Sequence, residues 1–278
     1  MFHQNRRCAT DAETIYVQRT SSCASAVAST AGTSEIPYCT AQLGVNAVTS
    51  AKRVVVLRGP DPLSSIEFAT VGAQVTIFGQ GGAALEPGGT GPGIRTTAGD
   101  VYIRSLAVRR GAFEGIVAEA GSIIRLNRCV IENNSRGGIL LNGAGFDITN
   151  TVIAVNGPGD TPGLGIWGGI GLIPPPPGVP ARLVNATIVG NPSGIACSAP
   201  LVGDVAGLIV AKNTVIQIGS ACMIPSCCTG DPLLSPTYRL TQGSPCIDKL
   251  PANMSAPDDI DGEARPRGPA SDCGADEF

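Results

Sequence analysis

The sequence predicts an all-β chain wound as a right-handed, single-stranded parallel β-helix, with coils of about 22 residues. A short helix is expected to cap its N-terminal end, and a disulfide-tied tail to close its C-terminal end. Three observations carry this. A nine-residue phrase recurs at Leu126–Asn134 (LNRCVIENN), Ile148–Asn156 (ITNTVIAVN), Leu183–Asn191 (LVNATIVGN) and Val205–Asn213 (VAGLIVAKN). The composition is turn-rich, with 37 Gly and 22 Pro among 278 residues and only 15% charged side chains. Ten cysteines accompany a single histidine.

Each phrase starts on an aliphatic residue, carries a β-branched residue at its sixth position (Ile131, Ile153, Ile188, Val210) and ends on Asn. The starts are 22, 35 and 22 residues apart, so the long interval is one repeat plus 13 residues. An earlier copy, Ile103–Gly111, lies 23 residues upstream of Leu126 and ends on Gly. A Gly-Ile phrase recurs between the copies, at Ile94, Ile116, Ile139 and Ile195. No copy can bury its apolar face alone; stacking makes a continuous core. The Leu-x-x-Leu-x-Leu frame of leucine-rich repeats is absent, and so is a helical segment per repeat. Three short strands and three turns per coil fit better. Asn and Gly tolerate left-handed backbone, so Asn134, Asn156, Asn191 and Asn213 are expected to turn the chain at one corner and stack there as a ladder.

A net charge of −3 points to neither nucleic acid nor an anionic membrane surface. His3 is the only histidine, which argues against a Ser/His/Asp triad and a His-rich metal site. Ten cysteines without metal-ligand spacing indicate disulfides and an oxidising compartment. No apolar run is long enough to span a membrane. The opening MFHQNRRCAT has no apolar signal segment, so the chain reads as a mature or trimmed form of an exported monomer.

Residues 1–53 form the N-terminal segment and cap, with 1–14 loosely attached. Ile15-Tyr16-Val17 is an opening strand, and Cys23 and Cys39 bracket a small-residue loop that a disulfide would close. Thr40–Val48 reads as a short amphipathic helix with Thr40 as its N-cap. Residues 54–218 are the coils, starting at Val54–Leu57 and interrupted by an insertion at 157–180. That insertion holds the only tryptophan, Trp167, and the stiff Pro174–Pro177 run. Residues 219–278 are a C-terminal cap and tail, where Cys246 and Cys273 are expected to pair. Cys129, inside a repeat strand, is expected to be a free packed thiol.

The stretches IYVQ, GTSEIPYCTAQLGVNAV and KRVVVLRGP resemble the opening of secreted bacterial β-helix proteins of the pectin-lyase-like superfamily. The tail, SPCIDKL followed by DDIDGEARPRGPASDCGADEF, resembles the closing signature of the choice-of-anchor Q group. The matching positions are Ser244, Pro245, Ile247, Asp248, Asp259, Asp261, Gly262, Arg265, Pro266, Asp272, Gly274, Ala275 and Glu277. The resemblance implies a right-handed β-helix that is secreted or displayed on a cell surface. It carries no established activity.

Lyases of that superfamily pair a basic residue with carboxylates that hold calcium over an acidic sugar. Arg104, Arg128 and Glu132 are the candidates for such chemistry, with Arg104 and Arg128 at neighbouring repeat phases and so expected on one exposed strip. Arg109 and Arg110 are candidate ligand contacts, and Trp167 is a candidate sugar-stacking platform on its loop. No column of Asp appears on adjacent coils; Asp100, Asp147 and Asp204 fall at differing phases. Asp258, Asp259 and Asp261 have a spacing compatible with calcium. The alternative for them is a turn whose carboxylates cap backbone N–H groups and pair with Arg265 or Arg267. No cofactor is otherwise expected. The leading reading is a non-catalytic exported β-helix that binds polysaccharide or adheres to surfaces. The alternative is a polysaccharide lyase or glycoside hydrolase.

Overall fold

The computed structural model describes residues 3–4, 7–64, 66–68, 74–228 and 230–278. The expected loosely attached segment 1–14 lies partly outside them. The chain forms a parallel β-solenoid whose third strands make a seven-stranded, all-parallel sheet. Each full coil contributes to three faces. Face A runs through Thr14–Val17, Val54–Arg58, Val75–Gln80, Gly99–Arg104 and Ser122–Asn127, then the first halves of Gly145–Ala154 and Ala181–Val189, and ends at Asp204–Ala206. Face B holds Ala84–Leu85, Ala107–Arg109 and Val130–Glu132, the second halves of the two long strands, and Ile209–Ala211. Face C holds Ile66–Phe68, Ile94–Thr96, Ile116–Glu119, Ile139–Asn142, Ile170–Ile173, Ser193–Cys197 and Ile216–Ile218.

The phrases register as the repeat predicts. Val108, Ile131, Ile153, Ile188 and Val210 are paired in succession along face B. Ile94, Ile116, Ile139, Ile170 and Ile195 do the same along face C, and all five are fully buried. These columns are the core. Each inward side chain rests on its equivalent one coil away, about 4.8 Å distant.

Asn134, Asn156, Asn191 and Asn213 stack at one corner, all buried. Each of the first three donates from Nδ2 to the next Asn Oδ1, at 3.0, 3.1 and 3.1 Å. Gln217 ends the ladder by accepting from Asn213 Nδ2 at 2.9 Å. Those Oδ1 atoms also accept the backbone N–H groups of Asn134, Asn156 and Asn191, and Asn134 Oδ1 accepts from Gly111 N. The expectation that these Asn residues themselves supply left-handed backbone needs correction. The residue before each one does so: Asn133, Val155, Gly190 and Lys212, with Arg110 one coil earlier. Ser105, Arg128, Asn150, Asn185 and Gly207 form a second left-handed column between faces A and B. Chirality is satisfied at one position of the bend and the buried polar groups at the next.

The sheet opens earlier than Val54, because Thr14–Val17 pairs in parallel with Val54–Leu57. The capping helix spans Ala41–Asn46, and Thr40 Oγ1 accepts from Leu43 N at 3.2 Å. The insertion divides in two. A hairpin, Gly159–Thr161 with Gly165–Trp167, precedes the face C strand Ile170–Ile173, and the proline run follows it.

The tail has little regular structure but a dense interior. It packs on the outside of face B, where Val152, Ala154, Val189 and Ile209 meet Leu240, Ile260 and Ala275. That is why the two long strands are buried on both sides over this stretch. Cys23 pairs with Cys39 as expected. The expected Cys246–Cys273 pair does not form; Cys246 bonds Cys228 and Cys273 bonds Cys227. The two backbones are adjacent, with Cys273 N donating to Cys246 O at 3.0 Å, yet both sulfurs reach the neighbouring pair Cys227–Cys228. A further bridge joins Cys197 and Cys222. Cys129 is a free, buried thiol, and burial pushes its pKa up to about 11.

Candidate functional site

The outer surfaces of the three faces differ in chemistry. On face A, Tyr102, Arg125, Asp147, Arg182 and Asp204 occupy one column in sheet register. Arg125 forks onto Asp100 at 2.8 and 2.9 Å. Arg182 bridges Asp147 and Asp204 at 3.0 Å each. Asp147 and Asp204 therefore share a phase, which corrects the reading that they differ. Arginine stands between them, so the column is an alternating ion-pair ladder. The Asp100 hydrogen bond raises the Arg125 pKa further, ahead of the opposing effect of burial, so that guanidinium stays charged.

Arg104 and Arg128 do not form one strip. Arg104 lies in register with Asn127 on face A, whereas Arg128 occupies the left-handed corner beyond it. Arg128 is roofed by the tail: it forms an ion pair with Asp258, and Gly262 sits so close that a Cβ there would meet its Nη1 at 2.6 Å. Asn150, one coil along that corner, donates to Asp258 O at 2.8 Å. Glu132 accepts from Tyr238 Oη at 3.2 Å, also within the tail contact. The candidate acid–base group is thus divided between face A, which holds Arg104, and the half-buried tail contact, which holds Arg128 and Glu132. Arg109 and Arg110 both bind Glu86, at 2.8 and 3.1 Å.

The acidic cluster of the tail is Asp259, Asp261 and Asp276. Its oxygens are engaged by protein donors. Asp259 Oδ1 accepts from the backbone N–H groups of Asp261, Gly262 and Glu263, at 3.0, 2.7 and 2.7 Å. Asp259 Oδ2 accepts from Glu277 N at 3.1 Å. Arg239 Nη2 donates to Asp261 at 2.8 Å and its Nε lies 3.4 Å from Asp276. A guanidinium occupies the electrostatic place a cation would take, and the donor set fits the capped turn better than a calcium shell of 6–8 oxygens. Burial pushes Asp276 up to about 6. Arg265 and Glu277 of the tail are likewise engaged within the chain. Arg265 pairs with Glu277 at 2.8 Å with both side chains buried, and also donates to the carbonyls of Asp258, Asp272 and Gly274.

Face C carries the groove. Two hollows of about 470 and 310 Å³ share Thr90, Gly91, Pro92 and Arg95. The first reaches back to Gln42 on the capping helix, and the second runs forward over Phe113, Glu114, Val117 and Leu140. Arg95, Val117 and Leu140 are the outward residues of three successive strands in register, so the groove follows the solenoid axis. Arg95 binds Glu119 at 3.2 Å, Glu119 accepts from Asn142 at 2.7 Å, and the Arg136 guanidinium lies over the Phe113 ring at 5.3 Å. Further along face C stands the insertion. Trp167 is fully buried there, so it is a structural anchor and not a sugar platform. Its ring fills space left open by Gly137, Gly159 and Gly171, and Nε1 donates to Thr161 Oγ1 at 3.1 Å. The sequence reading missed Arg95 and Phe113 because neither belongs to the nine-residue phrase; their common face appears only once the coils are stacked.

No family model, curated protein or solved structure matches this chain. Among the described residues no helix is long and apolar enough to cross a membrane. Four disulfides fit an oxidising, non-cytoplasmic setting.

Proposed function

We propose that this is an exported, secreted or cell-surface β-solenoid that binds polysaccharide along the face C groove without cleaving it. The observation that carries the reading is the groove's direction: it crosses successive strands at about 4.8 Å per coil, close to the length of one hexose in an extended chain. Phe113, with Arg136 over its ring, lines the hollow as an apolar contact for a sugar, while Arg95, Glu119 and Asn142 offer polar atoms on the same face. Arg125, Arg182, Arg128, Arg109 and Arg110 are matched by carboxylates at Asp100, Asp147, Asp204, Asp258 and Glu86. That matching favours binding over proton abstraction, because a base must be free of its counter-charge at the operating pH.

Affinity electrophoresis against neutral and anionic polysaccharides tests this. Retardation by at least one polymer, lost in Phe113→Ala and Arg95→Ala, is the expected result. Retardation by none, or retardation indifferent to both substitutions, overturns the groove assignment. Appearance of unsaturated or reducing products that vanish in Arg104→Ala or Arg128→Ala would establish the lyase or hydrolase reading instead.

A further inference from the structure

Among the described residues, the face C groove is finished differently at its two ends. Toward the capping helix its lining is low: Ser64, Gly89 and Thr90 are exposed, and a Cβ at Gly89 or Gly91 would meet nothing within 4 Å. At the other end the outward side chains change. Arg95, Val117, Leu140 and Gly171 follow one another in register. Leu140 is half-buried and lines the second hollow, whereas Gly171 is buried. The Trp167 ring stands where a side chain at Gly171 would, since a Cβ there would meet its Cδ2 at 2.7 Å. The hairpin fixes that ring, with Trp167 paired to Gly159 and its Nε1 bonded to Thr161. The neighbouring outward column changes at the same coil. Glu119 and Asn142 are followed in register by Ile173, after which the chain enters the run Pro174–Pro177.

Both changes bear on a glycan laid along the axis, which advances about one sugar per coil because coils are about 4.8 Å apart. Beyond Leu140 the next sugar would meet the Trp167 ring. Its hydroxyls would face Ile173 in place of Glu119 and Asn142, and hydroxyls desolvated without a partner weaken binding. An internal stretch of a polymer must leave a groove at both ends. A chain terminus has to leave at one end only, which is what a groove stopped at Gly171 allows.

We propose that the groove seats the terminus of a polysaccharide chain, about three sugars deep over the coils of Arg95, Val117 and Leu140, with the terminal sugar at Leu140 stopped by the Trp167 hairpin. This rests on the reading of face C as the polysaccharide site. Isothermal titration calorimetry of the intact, oxidised protein tests it, with xylan and homogalacturonan as probes, each as oligomers of two to eight units and as the parent polymer. For at least one series, affinity per chain is expected to rise up to about three units and then stay level. The stoichiometry is expected to be one protein per chain at every length, the polymer included, and Phe113→Ala should abolish binding. Affinity that climbs with every added unit, or several proteins bound per polymer chain, overturns terminus recognition while leaving face C a polysaccharide site. Binding that survives Phe113→Ala places the glycan elsewhere and overturns both, as does the absence of binding to every oligomer and polymer.

Discussion

The coils between Ile94 and Asn213 and the tail from Asp231 to Phe278 reach stability by opposite routes. The coils repeat one solution. Apolar columns and one Asn ladder satisfy core and corner in every turn, so each coil depends mainly on its neighbours. The tail repeats nothing. It relies on individual polar locks: Arg265 with Glu277, Asp259 on three backbone N–H groups, and two disulfides to Cys227 and Cys228. Damage to a coil should therefore be local and graded, whereas damage to a tail lock should release the whole segment.

The largest effect is expected at the buried pair. Arg265→Met leaves Glu277 without its partner and should cost about 3–5 kcal/mol. Limited proteolysis checks whether cleavage concentrates within residues 231–278 while the coils persist. Cleavage spread evenly through the coils would erase the contrast. Next, Asn191→Ala removes the acceptor for Asn156 N and breaks both ladder bonds to Asn156 and Asn213. A loss of about 2–3 kcal/mol is expected from the buried groups left unpaired, read by urea denaturation. If Asn191→Ala matched Arg265→Met in cost and in extent of unfolding, the coils would be no more modular than the tail.

Smaller changes sharpen the comparison in the other direction. Val155 is a β-branched residue in left-handed backbone, at a position filled by Asn133 and Gly190 in adjacent coils. Val155→Asn should stabilise by about 1 kcal/mol, because the strain of that backbone falls on the β-branched residue. A thermal melt showing no gain would mean that the coil already absorbs the strain. In the tail, burial raises the Asp276 pKa to about 6, above its unfolded value. Its contribution to stability is thus fully present below the unfolded carboxylate pKa and is lost as pH rises through about 6. Asp276→Asn should raise the melting temperature at pH above 7, by the equivalent of about 1 kcal/mol or less after screening, with the gain vanishing near pH 4. A gain at low pH instead would reverse the sign assigned to this group.

The periodic half of the molecule was legible because its physics is local to the repeat. The recurrence of Ile131, Ile153, Ile188 and Val210, followed by Asn, fixes the number of residues per coil and which side chains stack. It does not say which residue of the bend bears the left-handed backbone, since Asn suits both that role and the ladder. Cys23–Cys39 was readable from a loop with no other means of closure, and the same reasoning failed for Cys246 and Cys273. Those two are neighbours in backbone, but the tail's docking on face B sets where their sulfurs point.

What the sequence determined by itself is the solenoid, its Asn corner and the helical cap at its start. A period near 22 residues leaves few other ways to bury one apolar face per copy. Tertiary structure decided the rest. It placed Arg128 beneath the tail while Arg104 stayed on face A, interleaved Arg182 between Asp147 and Asp204, buried Trp167 among three glycines, and aligned Arg95, Val117 and Leu140 into one groove. Each of these depends on side chains far apart in the chain, whose meeting is set by the register of stacked coils and the path of an irregular tail.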